Sequence, residues 1–134
     1  MGIDPGTARV GWSIIDVTGS RITPISYGCI ETEKNNSPER RLNEIFDALN
    51  VLLIKYKPNC MAVEDLFFSS NAKTAIAVGQ ARGVVLLSAS THHTPVISYS
   101  PLTVKQAITG DGKADKKQVS RMVMLTLKLD KTPK

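Results

Sequence analysis

Long apolar runs are missing from this chain of 134 residues. No stretch approaches the ~18 uncharged apolar residues that a membrane-crossing helix needs, so no membrane partner is expected. The opening Met1-Gly2-Ile3-Asp4-Pro5-Gly6 has neither the basic start nor the apolar middle of a secretory leader. Cysteine is scarce as well. Two thiols cannot staple a fold, and neither Cys29 nor Cys60 has a metal-type partner two to four residues away, which sets aside disulfide scaffolds and zinc modules. A reduced, cytoplasmic setting is the expectation. Internal repeats, low-complexity tracts and linkers are absent too, so residues 1–134 read as one domain.

What is present is ordinary globular material, 42% apolar and 22% charged. A chain of this length removes roughly 68% of its unfolded surface from water. Its 17 Lys and Arg exceed its 12 Asp and Glu, for a net charge of +5. That excess is compatible with a nucleic-acid partner without requiring one.

The order of elements is more informative. Residues 10–17 and 22–30 are apolar and β-branched around the turn Thr18-Gly19-Ser20, a hairpin pattern. Met1 to Ile3 form a short strand before it. Ser37-Pro38 opens a helix, with Ser as N-cap and Pro at the first helical position. Its apolar stripe runs through Leu42, Ile45, Phe46, Leu49, Leu52, Leu53 and Tyr56, and Pro58 stops it. Cys60 to Val63 reads as a strand buried on both faces and ending in Glu64. A helix over 71–90, a strand over 95–99 and a helix over 101–108 follow. A last helix is capped by Asp115 with Gln118 as its reciprocal partner, and turns Val119, Met122, Val123, Leu125 and Leu127 inward. The order β-β-β-α-β-α-β-α-α implies an α/β fold: a mixed sheet flanked by helices.

Two carboxylates stand in equivalent places. Asp4 and Glu64 each terminate a short apolar run read as a central strand, and functional groups gather beyond such strand ends. Brought together, the two acids repel unless a divalent cation neutralises them, and their hard oxygens suit Mg²⁺. The alternative is that each merely caps a turn. Asp65 alternates to the opposite face and is the weaker ligand. The turn Gly2-Ile3-Asp4-Pro5-Gly6-Thr7 is by itself ambiguous, since actin-like kinases open similarly to hold ATP phosphate.

Five segments remove that ambiguity: Gly2-Ile3-Asp4-Pro5-Gly6, Ala62-Val63-Glu64-Asp65-Leu66-Phe67, Gly79-Gln80-Ala81-Arg82-Gly83, Val104-Lys105-Gln106 and Ala114-Asp115-Lys116-Lys117-Gln118-Val119. In order and spacing, over essentially the whole chain, they resemble the RuvC family of Holliday-junction resolvases. The resemblance implies a ribonuclease H-like fold and Mg²⁺-dependent, symmetric phosphodiester hydrolysis of four-way DNA junctions during recombination and repair. It implies that Asp4 and Glu64 are catalytic metal ligands serving two Mg²⁺ per site, and that Phe67 stacks on bases. Lys105 and Lys116 are implied to approach the DNA phosphates. A non-cleaving branched-DNA-binding relative is the alternative.

The helix containing Gly79 and Gly83 is apolar around more than half its circumference, which means burial within the monomer or a second copy against it. The resemblance favours a homodimer, with Ile76, Gly79 and Gly83 at its interface, and a RuvA–RuvB branch-migration complex as partner. Family members continue into a final helix with further acidic ligands. The 134-residue polypeptide is therefore expected to bind Mg²⁺ weakly and cleave little until that segment is supplied. His92 and His93 are expected at the surface, Asp111 and Asp115 in a turn and a cap, and Cys29 and Cys60 facing the core.

Overall fold

The structure is a computed structural model that describes residues 1–65 and 71–133. Five strands form one sheet in the order β3-β2-β1-β4-β5. They are β1 (Gly2–Asp4), β2 (Arg9–Thr18), β3 (Arg21–Glu31), β4 (Met61–Glu64) and β5 (Val96–Tyr99). The β1–β2 and β2–β3 pairs are antiparallel, whereas β4 is parallel to both β1 and β5. The helices are α1 (Pro38–Tyr56), α2 (Ala72–Thr91), α3 (Pro101–Thr109) and α4 (Lys116–Leu127).

The β2–β3 hairpin closes from Thr18 to Arg21, with Gly19 at φ 61° making the reversal. Its register slips between Ile14 and Ile15, and Pro24 sits beside that slip. A proline without an N–H is tolerated there because β3 is an edge strand. Between β1 and β2 the chain turns so tightly at Gly6 that an added Cβ would lie 2.5 Å from the Arg9 carbonyl oxygen. Only glycine passes that point.

The core lies on one face of the sheet. Ile3, Val10, Ile14, Ile30, Met61 and Val63 meet Ile45, Leu49 and Leu53 of α1, spaced one helical turn apart, and Ala81, Val85 and Ala89 of α2. Trp12 extends this layer against Tyr56, ring centroids 6.1 Å apart, and crosses Gly28, where a Cβ would press 2.9 Å from the indole. The opposite face is only partly covered. Val123 and Leu127 of α4, with Leu129, roof a hollow of about 300 Å³ over Gly11, Ser13 and Tyr27.

Three expectations need correction. Cys29 and Cys60 are exposed rather than core-facing. Cys29 alternates with buried Ile30 and so projects from the uncovered face, and Cys60 precedes β4 with its carbonyl accepting from the Met1 amine at 3.0 Å. Met122 and Leu125 of α4 are exposed, whereas Val123 and Leu127 are the α4 residues that line the hollow over the sheet. Ser37 occupies the N-cap position of α1 without accepting a backbone N–H, and its hydroxyl turns to the Glu39 carboxylate instead. The Asp115–Gln118 capping box forms as read, with both bonds at 2.8 Å.

Candidate functional site

β1 and β4 are parallel neighbours with Gly2 opposite Ala62 and Ile3 opposite Val63. One further step in that register sets Asp4 beside Glu64. In-register parallel neighbours project to the same face about 4.8 Å apart, here the face away from α1 and α2. Both acids therefore stand at the carboxyl end of the two inner strands, where the sheet is open. Gly11, opposite Asp4 in β2, contributes no side chain to crowd it.

The electrostatics carry the imprint of this proximity. Burial raises the Glu64 pKa above the ordinary carboxylate value, and the Asp4 carboxylate raises it further by its charge and by a shared hydrogen bond. Lys105 pulls in the other direction. That lysine arrives from α3, which starts directly after β5: Ser100 caps it, its Oγ accepting from the Thr103 N–H at 3.1 Å, and Pro101 takes the first turn. Asp4, Glu64 and Lys105 thus converge from three elements. Two like charges held this close, Glu64 half-buried and Asp4 exposed, fit a divalent cation, whose charge removes their repulsion. Among the described residues no group of three or more His, Cys, Asp or Glu forms a metal-binding cluster. Mg²⁺, however, is commonly held by one or two carboxylates, with water and substrate phosphate completing its shell.

The other predicted positions separate. Lys116 is exposed at the first residue of α4 and borders an open groove shared with Lys117, Ser120 and Arg121. Phe67 lies outside the described residues. On α2, Ile76 is 63% exposed, Gly79 is half-buried, and a Cβ at Gly83 would meet only open space. Asp111 accepts from the Lys113 N–H at 2.9 Å, the expected turn. His93 is exposed as read. His92 is not a plain surface residue: it is half-buried, its Nε2 2.9 Å from the Asn50 Oδ1 of α1.

Sequence reasoning passed over Arg82. Its Nη2 donates to Asp65 Oδ1 at 3.2 Å and to Ser98 Oγ at 2.7 Å, joining α2 to the ends of β4 and β5. The available signal was a guanidinium directly after the buried Ala81 of an otherwise apolar helix, together with the alternation that turns Asp65 toward that helix.

The sequence profile of the family described as crossover junction endodeoxyribonuclease RuvC matches residues 1–134. A crossover junction endodeoxyribonuclease RuvC from Desulforamulus reducens is 48% identical over all 134 residues, which cover 82% of its length. One from Fusobacterium nucleatum is also 48% identical, with 70% of its length covered. Among solved structures, Thermus thermophilus RuvC in complex with Holliday junction substrate superposes with a TM-score of 0.92 at 33% identity, over 99% of this chain and 81% of that one. The yeast mitochondrial Holliday junction resolvase Ydc2, at 15% identity over 95% of this chain and 61% of that one, shares the fold with a TM-score of 0.69.

Proposed function

The chain belongs to the RuvC family of crossover junction endodeoxyribonucleases, and from that premise we propose that the open sheet face is where it hydrolyses phosphodiester bonds of four-way DNA junctions. The observation that carries this reading is the pairing of Asp4 and Glu64 on adjoining inner strands, near enough that the Asp4 charge raises the Glu64 pKa.

Asp4 and Glu64 would hold the divalent metal, two Mg²⁺ in the complete arrangement. Bound there, Mg²⁺ supplies an activated water and neutralises charge on the phosphate and on the departing 3′-oxygen. The protein's part is orientation. Asp4 is fixed by β1, the most interior strand, and Glu64 by β4, whose Met61 and Val63 are fully buried. Lys105 sets a positive charge near Glu64, where it offsets the repulsion from Asp4 and would attract a backbone phosphate. Lys116, at the start of α4, would hold a more distant phosphate, and Phe67 would stack on bases at the opened crossover.

A homodimer through the Ile76, Gly79 and Gly83 stripe of α2 completes the reading. An isologous pair presents two identical sites to strands related by the junction's own two-fold symmetry. A RuvA–RuvB complex would deliver such a junction. The domain is proposed to act in the cytoplasm, and among the described residues no helix is long and apolar enough to cross a membrane.

The test is a four-way junction with each strand labelled in turn, incubated with the chain joined to the family's final acidic helix and then with Mg²⁺. Paired nicks at symmetric positions are expected in two opposed strands. Asp4→Asn or Glu64→Gln should lower the rate at least about 10³-fold, the equivalent of losing several kcal/mol of transition-state charge stabilisation. Tight binding without nicks at any Mg²⁺ or Mn²⁺ concentration would instead favour a non-cleaving junction-binding relative.

A further inference from the structure

We propose that Arg82 is a positioning residue for the catalytic carboxylate: through Asp65 and Ser98 it clamps the end of β4 and thereby fixes the direction in which Glu64 projects. The inference rests on the assignment of Asp4 and Glu64 as metal ligands.

Glu64 is the last residue of β4, and a strand end is free to fray unless something holds it. Here the residue before it, Val63, is fully buried, and the residue after it is held twice. The Asp65 N–H donates to the Tyr99 carbonyl at 2.7 Å, carrying the β4–β5 ladder one residue beyond Glu64. The Asp65 carboxylate accepts from Arg82 Nη2, which also reaches Ser98 Oγ on β5. Successive side chains of a strand point to opposite faces. Tying Asp65 toward α2 therefore commits Glu64 to the face that carries Asp4. Without the tie, repulsion between Asp4 and Glu64 favours rotation of the strand end away from the acid pair.

As a device for stability alone the arrangement is inefficient. The Arg82 side chain is 21% exposed while Asp65 is 47% exposed, so the pair is half in water and half out of it. Arg82 Nε is buried and has no hydrogen-bond partner among the described residues. Buried donors without partners are rare, and half-buried ion pairs contribute little net stability. What the guanidinium achieves is geometric. Its one nitrogen joins a helix to two strand ends at the edge of the site, the kind of supporting contact that sets the precision of a metal-binding carboxylate.

The test uses the chain joined to the same final acidic helix, with Mn²⁺ alone as the first probe. Arg82→Met should weaken Mn²⁺ binding, measured by titration calorimetry, by roughly 10-fold, and lower kcat for junction cleavage by a comparable factor. KM for the junction and the melting temperature should change little, and Arg82→Lys should recover part of the loss. Asp65→Asn, which preserves shape, should reproduce the effect, and combining it with Arg82→Met should add little, as expected for two members of one unit. Unchanged Mn²⁺ affinity and kcat alongside a lowered melting temperature would overturn the proposal and leave Arg82 a structural residue. The control Asp4→Asn separates the two readings. If it abolishes Mn²⁺ binding while Arg82→Met and Asp65→Asn do not, only the clamp is wrong. If it leaves Mn²⁺ binding intact, the metal site itself is misassigned and the clamp falls with it.

Discussion

The two faces of the sheet are built from the same strands yet behave as opposites. One face, carrying Ile3, Val10, Ile14, Met61 and Val63, is sealed by α1 and α2. The other carries Asp4 and Glu64 and leaves Ile15, Tyr27, Ile97 and Tyr99 between 40% and 46% exposed. The difference shows how a small α/β domain keeps stability and chemistry apart. Complete burial multiplies apolar contacts and excludes charge, whereas an acid pair needs partial burial, enough to intensify its field and not so much that it becomes neutral. Strand alternation lets one residue do the first task and its neighbour the second, as Ile3 and Asp4 do on β1, and Val63 and Glu64 on β4.

Substitutions on each face sharpen this contrast. The largest effect is expected on the sealed side. Leu49→Ala should cost about 3 kcal/mol in urea denaturation, because a fully buried leucine leaves a cavity that two helices and a sheet cannot close. Ile97→Thr on the open side should stay within about 0.5 kcal/mol, and equal losses at the two positions would break the comparison.

A smaller effect of opposite sign is expected at the acid pair. Because the folded chain raises the Glu64 pKa, it holds that proton to higher pH than the unfolded chain does. Without metal, stability is therefore greatest below the ordinary glutamate value of 4.5 and declines as pH rises from there through the raised folded value. Glu64→Gln should remove this decline and raise the melting temperature at pH 7 in chelator by a few degrees. Mg²⁺ should then stabilise the native chain and not the variant. Scanning calorimetry from pH 4 to 8, with and without metal, reads both arms.

The smallest effect concerns Lys105. Lys105→Gln should make the log–log dependence of junction affinity on salt shallower by about 0.9, the share of one neutralised phosphate. A slope identical to that of the native chain would remove Lys105 from the DNA-contacting surface.

How far the residues alone announced these features follows from the range of the forces involved. The hairpin, the helix starts at Pro38 and Pro101, the Asp115–Gln118 capping box and the stripe of Ile45, Leu49 and Leu53 were all readable, because each depends on neighbours within a few positions. So was the equivalence of Asp4 and Glu64 as strand-ending acids. The exposure of Cys29, Met122 and Leu125 was not readable, since apolar periodicity says that a face wants cover without saying whether another layer reaches it. Nor was the clamp at Asp65, whose partners lie 17 residues along in Arg82 and still farther in Ser98. The sequence by itself determined the elements, their order and the two acids at strand ends, because backbone propensity and alternation are local. Only the tertiary structure decided that β1 and β4 lie side by side in a register that makes those acids neighbours, because strand pairing across some sixty residues is settled by the burial of a shared core.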